Sequence, residues 1–304
     1  MNMQDQQAIE QLQKSGNYRI LQRLQAPDVY FEGQADMPRI GLVVDTETTG
    51  LDTEHDQIIE LGFVAFEYDA SSGKIYRILH TYDGFEDPKQ PLNELVKELT
   101  GIDDAMVKGQ RLKDDEINPW IEKSSLLIAH NAAFDRRMME RRLPQVKAKA
   151  WACSFADLDW QEEGIASRKL DYIAYQMGYF FDGHRAVNDA QATLHLLAQG
   201  LPKSKKYAMG ELLRIARKPK LRIFALAAPF DKKDALKERG YRWLADFLNK
   251  NGKKGVWSLL IEEDAREAEE TWLREEIYMQ KSPMFQCKTL TAKNRYSVRE
   301  FALS

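Results

Sequence analysis

The stretch RIGLVVDTE, residues 39–47, carries the reading of the fold. A β-branched run enters a strand and closes on two acids. Side chains at i and i+2 of a strand face the same side. Asp45 and Glu47 therefore project together from the end of a buried strand. Unpaired, they repel one another and carry a desolvation cost. A divalent cation resolves that conflict, although strand-end acids are also commonly solvated or salt-bridged. Working outward, QIIELGFVAFEYD (57–69) alternates as a second strand, Ser71-Ser72-Gly73 signals a turn, and KIYRILHTY (74–82) answers as a third. Short connections predict an antiparallel meander.

Helical patterns follow. PLNELVKEL (91–99) is one, with Pro91 at a favoured first position. INPWIEK (117–123) ends another, and SSLLIAH (124–130) reads as a buried strand. Asn131 is placed to cap the helix that begins AAFDRRMMERR. WACSFADL supplies a short strand and a turn into helix. RKLDYIAYQMG (168–178) is helical to Gly178, and AVNDAQATLHLLAQG (186–200) is amphipathic and stopped by Gly200. A meander followed by helix–strand alternation predicts a mixed sheet with helices on its faces.

A second unit begins beyond KSKK (203–206). LRIFALAA (221–228) reads as a strand and DKKDALKERG (231–240) as a helix. YRWLADF (241–247) and KGVWSLLIE (254–262) read as a hairpin through Asn249–Gly252, and residues 264–280 as a long helix. The pattern β-α-β-β-α predicts a small α+β module. The expected domains are an N-terminal helix (1–15) with an irregular approach segment to residue 38, a core domain at 39–201, a basic linker at 202–220 and the module at 221–304.

The 304 residues exceed one average domain, and 43% are hydrophobic, enough for a real core. Mean hydropathy is −0.54, and no apolar run has membrane-spanning length. The N-terminus lacks the basic-then-apolar pattern of a signal peptide. Two distant cysteines, Cys153 and Cys287, fit a reduced cytoplasmic setting better than a disulfide framework. The net charge of −3 hides an asymmetry. Residues 202–304 carry 23 basic against 14 acidic side chains, while residues 1–201 carry 21 against 33. Such a basic excess is either a solvated surface or an attraction for a nucleic-acid backbone. Tyr241, Trp243 and Trp257 stand beside Arg242, Lys250, Lys253 and Lys254. Aromatics among cations stack on single strands, and at alternating strand positions they also build cores.

Two further motifs complete the acids. In HNAAFD (130–135), Asp135 lies one turn into the helix after an apolar strand. In HRAVND (184–189), His184 lies in a loop and Asp189 starts the amphipathic helix. Taken singly, helix-start acids complement the dipole and a loop histidine is a surface residue. His130, behind a buried strand, reads as structural. Taken in order, the motifs all fall at one predicted sheet edge.

VVDTETTGL (43–51), IAHNAAFD (128–135) and HRAVNDAQAT (184–193) together resemble the DEDDh 3′–5′ exonuclease superfamily, which includes polymerase III proofreading subunits, RNase T and oligoribonuclease. The resemblance covers roughly residues 39–200 and implies an RNase H-like mixed five-stranded sheet with helices on both faces. It implies two divalent cations bridged by Asp45, with Glu47 and Asp189 completing the site that holds the attacking water. Asp135 would support the cation near the leaving 3′-oxygen, and His184 would take the water's proton. Four carboxylates without cysteine suit Mg²⁺ or Mn²⁺ better than zinc. Thr48, Thr49 and Leu51 are expected at the terminal nucleotide. Thr100, Gly101 and Ile102, within LTGID (99–103), are expected at its base, and Asn131 and Phe134 flank Asp135.

The expected reaction releases 5′-mononucleotides from the free 3′ end of a strand. Single-stranded DNA is the first substrate, because the motifs read closest to the proofreading branch, with a polymerase or repair protein as partner and no membrane. RNA is the rival substrate. A nucleic-acid-binding scaffold with an unused nuclease fold is the rival of another class, against which all five catalytic positions are filled.

Overall fold

In the computed structural model, residues 3–248, 254–279 and 284–302 are described. The chain divides into two compact units, Met1–Val146 with Ala152–Ile215, and Lys147–Trp151 with Ala216–Ser304.

The first unit opens with helix α1 (Met3–Lys14) and the two-residue strand β1 (Gln22–Arg23). The meander follows as β2 (Pro38–Thr48), β3 (Ile58–Asp69) and β4 (Ile75–Phe85). Helices α2 (Glu94–Thr100), α3 (Asp104–Val107) and α4 (Asp114–Lys123) lead into β5 (Leu126–Ala129). Then come α5 (Ala132–Arg142), β6 (Trp151–Cys153), α6 (Leu170–Met177), β7 (Tyr179–Phe180), α7 (Ala186–Leu197) and α8 (Ala208–Arg217). The five-stranded sheet has the order β4-β3-β2-β5-β6. Its β2–β3 and β3–β4 pairs are antiparallel and its β2–β5 pair is parallel, so the expected mixed sheet is what forms. Strand β3 is buried along almost its whole length, on both alternating sides. A strand covered on both faces needs apolar side chains at nearly every position, and IIELGFVAF supplies them with one exception, Glu60.

Several local expectations shift. Pro91 stays outside α2, because Asn93 caps it by accepting the Val96 N–H. Helix α7 ends at Leu197 and caps on Ala198, short of Gly200. The turn after β6 does not enter a helix until Leu170. Asn131 does hold the cap position of α5, but with left-handed backbone (φ 87°) and no side-chain cap bond. The β1–β7 pair had no sequence signal.

The second unit is a four-stranded sheet of order β11-β8-β10-β9. Its strands are β8 (Lys220–Ala225), β9 (Arg242–Leu248), β10 (Lys254–Glu262) and β11 (Phe285–Leu290), and its helices are α9 (Lys233–Glu238) and α10 (Arg266–Trp272). The hairpin pairing of β9 with β10 is present, while its turn at Asn249–Gly252 lies outside the described residues, as do Lys250 and Lys253. The expected long helix is three pieces, because α10 is preceded by a 3₁₀ turn and widens into a π turn at Leu273–Ile277. Strand β11, antiparallel to β8, carries no strand signal in the sequence. Tyr241 is core, Trp257 packs against that core, and Trp243 is half exposed at the edge strand.

In the first unit, one glycine sets how closely helix and sheet approach. Gly62 of β3 lies opposite Asp45. A Cβ there would stand 2.2 Å from the Val187 backbone nitrogen at the start of α7. Backbone cannot yield as a flexible side chain does, so Gly62→Ala must push α7 off the sheet. We expect a loss of about 1–3 kcal/mol, typical of overpacking, read as a lower urea midpoint. An unchanged midpoint would show that α7 seats without this contact.

Candidate metal centre

The β2–β3 register places Glu47 opposite Glu60 and Asp45 opposite Gly62. Directly paired residues share a face of the sheet, so three acids of two strands point toward the start of α7. From that helix Asp189, in the first turn, reaches the same place. Asp45, Glu47 and Asp189 each present a carboxylate oxygen within 4.8 Å of the others. Asp135 enters from α5 by another route. Its Oδ1 accepts the Thr46 N–H (3.1 Å) and the Thr46 hydroxyl (2.8 Å), which ties the first turn of α5 to the residue between the strand acids.

The electrostatics follow from this crowding. Burial first, then the charges of Asp135, Asp189, Glu47 and Glu60, hold Asp45 well above the usual carboxylate range. Glu47 is pushed up to about 8 by burial and by Asp189, Glu60 and Asp135, against a downward pull from Arg185. Burial lifts Asp135 to about 7 despite the Thr46 hydrogen bonds. It lifts Asp189 to about 6, opposed by the Arg185 N–H and by His184. Arg185, the cation that reaches Glu47, is committed to Glu60 instead. Several oxygen donors with no sulfur among them, short of cationic partners, fit a hard divalent ion such as Mg²⁺ or Mn²⁺.

His184 sits in the loop before α7, exposed, with left-handed backbone (φ 60°). A non-glycine residue in that region is uncommon and is held there by its surroundings. His130 is structural, as expected. Its ring lies between the Ser154 hydroxyl and the Arg168 carbonyl, and burial pushes it down to about 4.

The expected substrate contacts divide. Leu51 is 88% exposed, and Asn131 and Gly101 are also at the surface. The Thr48 hydroxyl donates to Gly50 O, and that of Thr49 to Asp56. Thr100 is buried, its hydroxyl spent on Val96 O and the Ile102 N–H. Ile102, expected at a base, is wholly buried with Ile59, Leu92 and Val96, so its side chain is core. Phe134 is half-buried.

Glu60 and its partner Arg185 escaped sequence reasoning. Glu60 is fully buried and receives both Arg185 and the Ala186 N–H. The signal was available, since a lone acid inside IIELGFVAF calls for a partner.

A family model described as Exonuclease (RNase_T) matches residues 42–197, just over half of the chain. The chain belongs to this exonuclease family. With that match, the three motifs are those of the DEDDh 3′–5′ exonucleases. DNA polymerase III PolC-type of Caldanaerobacter subterraneus subsp. tengcongensis is 30% identical over 199 residues, 62% of this chain and 13% of the relative. The protein of the same name from Clostridium perfringens is 32% identical over 172 residues, 54% of this chain and 11% of the relative. This chain thus spans a small part of these relatives' length. Among solved structures, E. coli Exonuclease I in complex with a 5cy-dT13 oligonucleotide is similar with a TM-score of 0.47 at 15% identity, over 75% of this chain and 64% of that one. Exonuclease X in complex with 5′ overhanging duplex DNA gives 0.41 at 24% identity, over 56% and 99%. Among the described residues, no helix is long and apolar enough to cross a membrane.

Raised carboxylate values set the sign of a pH effect. Folded acids that hold protons more tightly than unfolded ones stabilise below about pH 4, the unfolded range. That contribution is lost as pH rises through the folded values, to about 8 for Glu47. In EDTA, the melting temperature should therefore fall from pH 5 to pH 8. Asp45→Asn should melt above wild type at pH 8, with the gap closing at pH 5, and Mn²⁺ should stabilise wild type more than the variant. A variant that melts below wild type equally at both pH values contradicts this charge crowding.

Proposed function

We propose that this chain removes 5′-mononucleotides from the 3′ end of a nucleic-acid strand, with Asp45, Glu47, Asp135 and Asp189 holding two divalent cations. The convergence of Asp45, Glu47 and Asp189 within 4.8 Å carries the reading. Divalent cations, when bound, supply charge relief and a nucleophile near neutral pH for phosphodiester hydrolysis. Asp135 fixes β2 to α5 through Thr46 and contributes its charge beside Asp45. His184, exposed at the mouth and beside Asp189, is the general base for the attacking water. Thr49 keeps its loop folded through Asp56, which leaves exposed Leu51 to meet the terminal nucleotide.

Single-stranded DNA is the proposed substrate. The relatives' name, DNA polymerase III, supports DNA and a replicative or repair setting. The basic excess of residues 202–304 suits a strand's phosphates. A polymerase or repair protein is the proposed partner.

A time course on 5′-labelled DNA and RNA strands, with Mg²⁺, Mn²⁺ or EDTA, tests this beside Asp45→Ala. We expect stepwise shortening of DNA with either cation, none in EDTA, and at least a ~100-fold loss in the variant, the order of an electrostatic catalytic contribution. Faster loss of RNA moves the substrate to RNA. Equal activity in wild type and Asp45→Ala sinks the mechanism.

A further inference from the structure

The acids of the metal centre come from separate elements, so something must hold α7 in register with β2. Gly62 sets the distance of approach, but a close contact alone does not stop α7 from sliding or rotating. Glu60 has the geometry for that. It is buried in β3, two pairs along from Gly62 on the same face and opposite Glu47. Its Oε1 accepts from Arg185 Nε at 2.9 Å and Nη2 at 2.7 Å, and its Oε2 accepts the Ala186 N–H at 2.9 Å. Ala186 is the first residue of α7, and Arg185, its N-cap, makes no side-chain cap bond of its own. A strand residue therefore does the capping that the local sequence does not.

The arginine is gripped from the next strand as well. The Asp83 carboxylate of β4 lies 3.8 Å from Nη2, and the guanidinium lies 5.5 Å from the centre of the Phe85 ring. Asp83 and Phe85 sit on β4 opposite Gly62 and Glu60. Arg185 is thus pinned by two strands, at a position between His184 and Asp189. A forked, planar cation on a carboxylate fixes direction as well as distance.

We infer that Glu60 and Arg185 are a pair of positioning residues: they lock the His184–Asp189 segment onto the sheet so that Asp189 meets Asp45 and Glu47 in cation-binding geometry. The inference rests on the proposed metal centre. It differs from two simpler roles. If Arg185 acted only through its charge, it would oppose a cation, and its loss would tighten cation binding. If it served only as a phosphate contact for the strand, its loss would weaken DNA binding and leave cation binding alone.

The test is Mn²⁺ titration by calorimetry on the full chain, without nucleic acid, for wild type, Asp45→Ala, Arg185→Met, Arg185→Lys and Glu60→Gln/Arg185→Met. Steady-state kinetics on single-stranded DNA accompany it. The double variant removes both charges and so avoids leaving Glu60 buried alone. We expect Mn²⁺ binding to weaken about 10-fold or more in Arg185→Met and in the double variant, as for residues that orient metal ligands. Arg185→Lys, which keeps the charge but not the fork, should weaken it less. The loss should appear in kcat more than in KM. Mn²⁺ affinity equal to or above wild type in folded Arg185→Met overturns the inference, as does a rise in KM alone. If Arg185→Met does not fold, Arg185→Lys and the double variant are judged by the same criterion. Failure of wild type to bind Mn²⁺ in an Asp45-dependent manner overturns the metal centre itself, and the inference with it.

Discussion

The buried carboxylate of Glu60, holding Arg185 and the first N–H of α7, is the contact on which the functional end of the first unit depends. Helix α7 lies across β2 and β3, and its backbone comes so near Gly62 that no side chain fits between them. A buried acid is costly unless charge and hydrogen bonds surround it. Here the guanidinium and a helix N-terminus both meet that need, and the helix dipole favours the same negative charge. The arrangement converts a desolvation cost into a fixed helix position. Asp189 and His184 inherit that position because they flank Arg185 by four residues and by one.

The acids around Asp45 form the opposite case. Asp45, Glu47 and Asp189 face one another without a comparable cation, and each holds its proton more tightly than a free carboxylate does. The fold keeps them together by packing and hydrogen bonds made elsewhere. Thr46 binds Asp135, Glu60 binds the α7 start, and β2 runs buried through the sheet. Stored repulsion of this kind is the pre-organised state that the proposed divalent ion would relieve. It also explains why one protein needs both a satisfied acid, Glu60, and a group of unsatisfied ones.

Much of this was legible in the sequence. VVDTE reveals the strand and its acids because strand periodicity is two, and the meander follows from Ser71-Ser72-Gly73. The three acidic motifs could be ordered along one sheet edge, since each ended or began an element. Less legible was anything made by tertiary contact. Glu60 looks like an interruption in an apolar run until Arg185, 125 residues away, is brought to it. Ile102 reads as an available apolar side chain, and only the packing of α2 against Ile59 shows that it is covered. Gly200 promises a helix stop, yet α7 caps two residues earlier on Ala198. In the second unit, FQCKTL carries too mixed a pattern to declare itself a strand, and forms β11 because β8 offers it an open edge.

Anomalous scattering from a crystal soaked in Mn²⁺ bears most directly on the assembly of these acids into a cation site. A Mn²⁺ peak in contact with Asp45, Glu47 and Asp189, absent in Asp45→Ala, is the predicted result. Mn²⁺ bound elsewhere, with the three carboxylates free of it, would contradict the reading of this cleft as a metal-dependent nuclease centre.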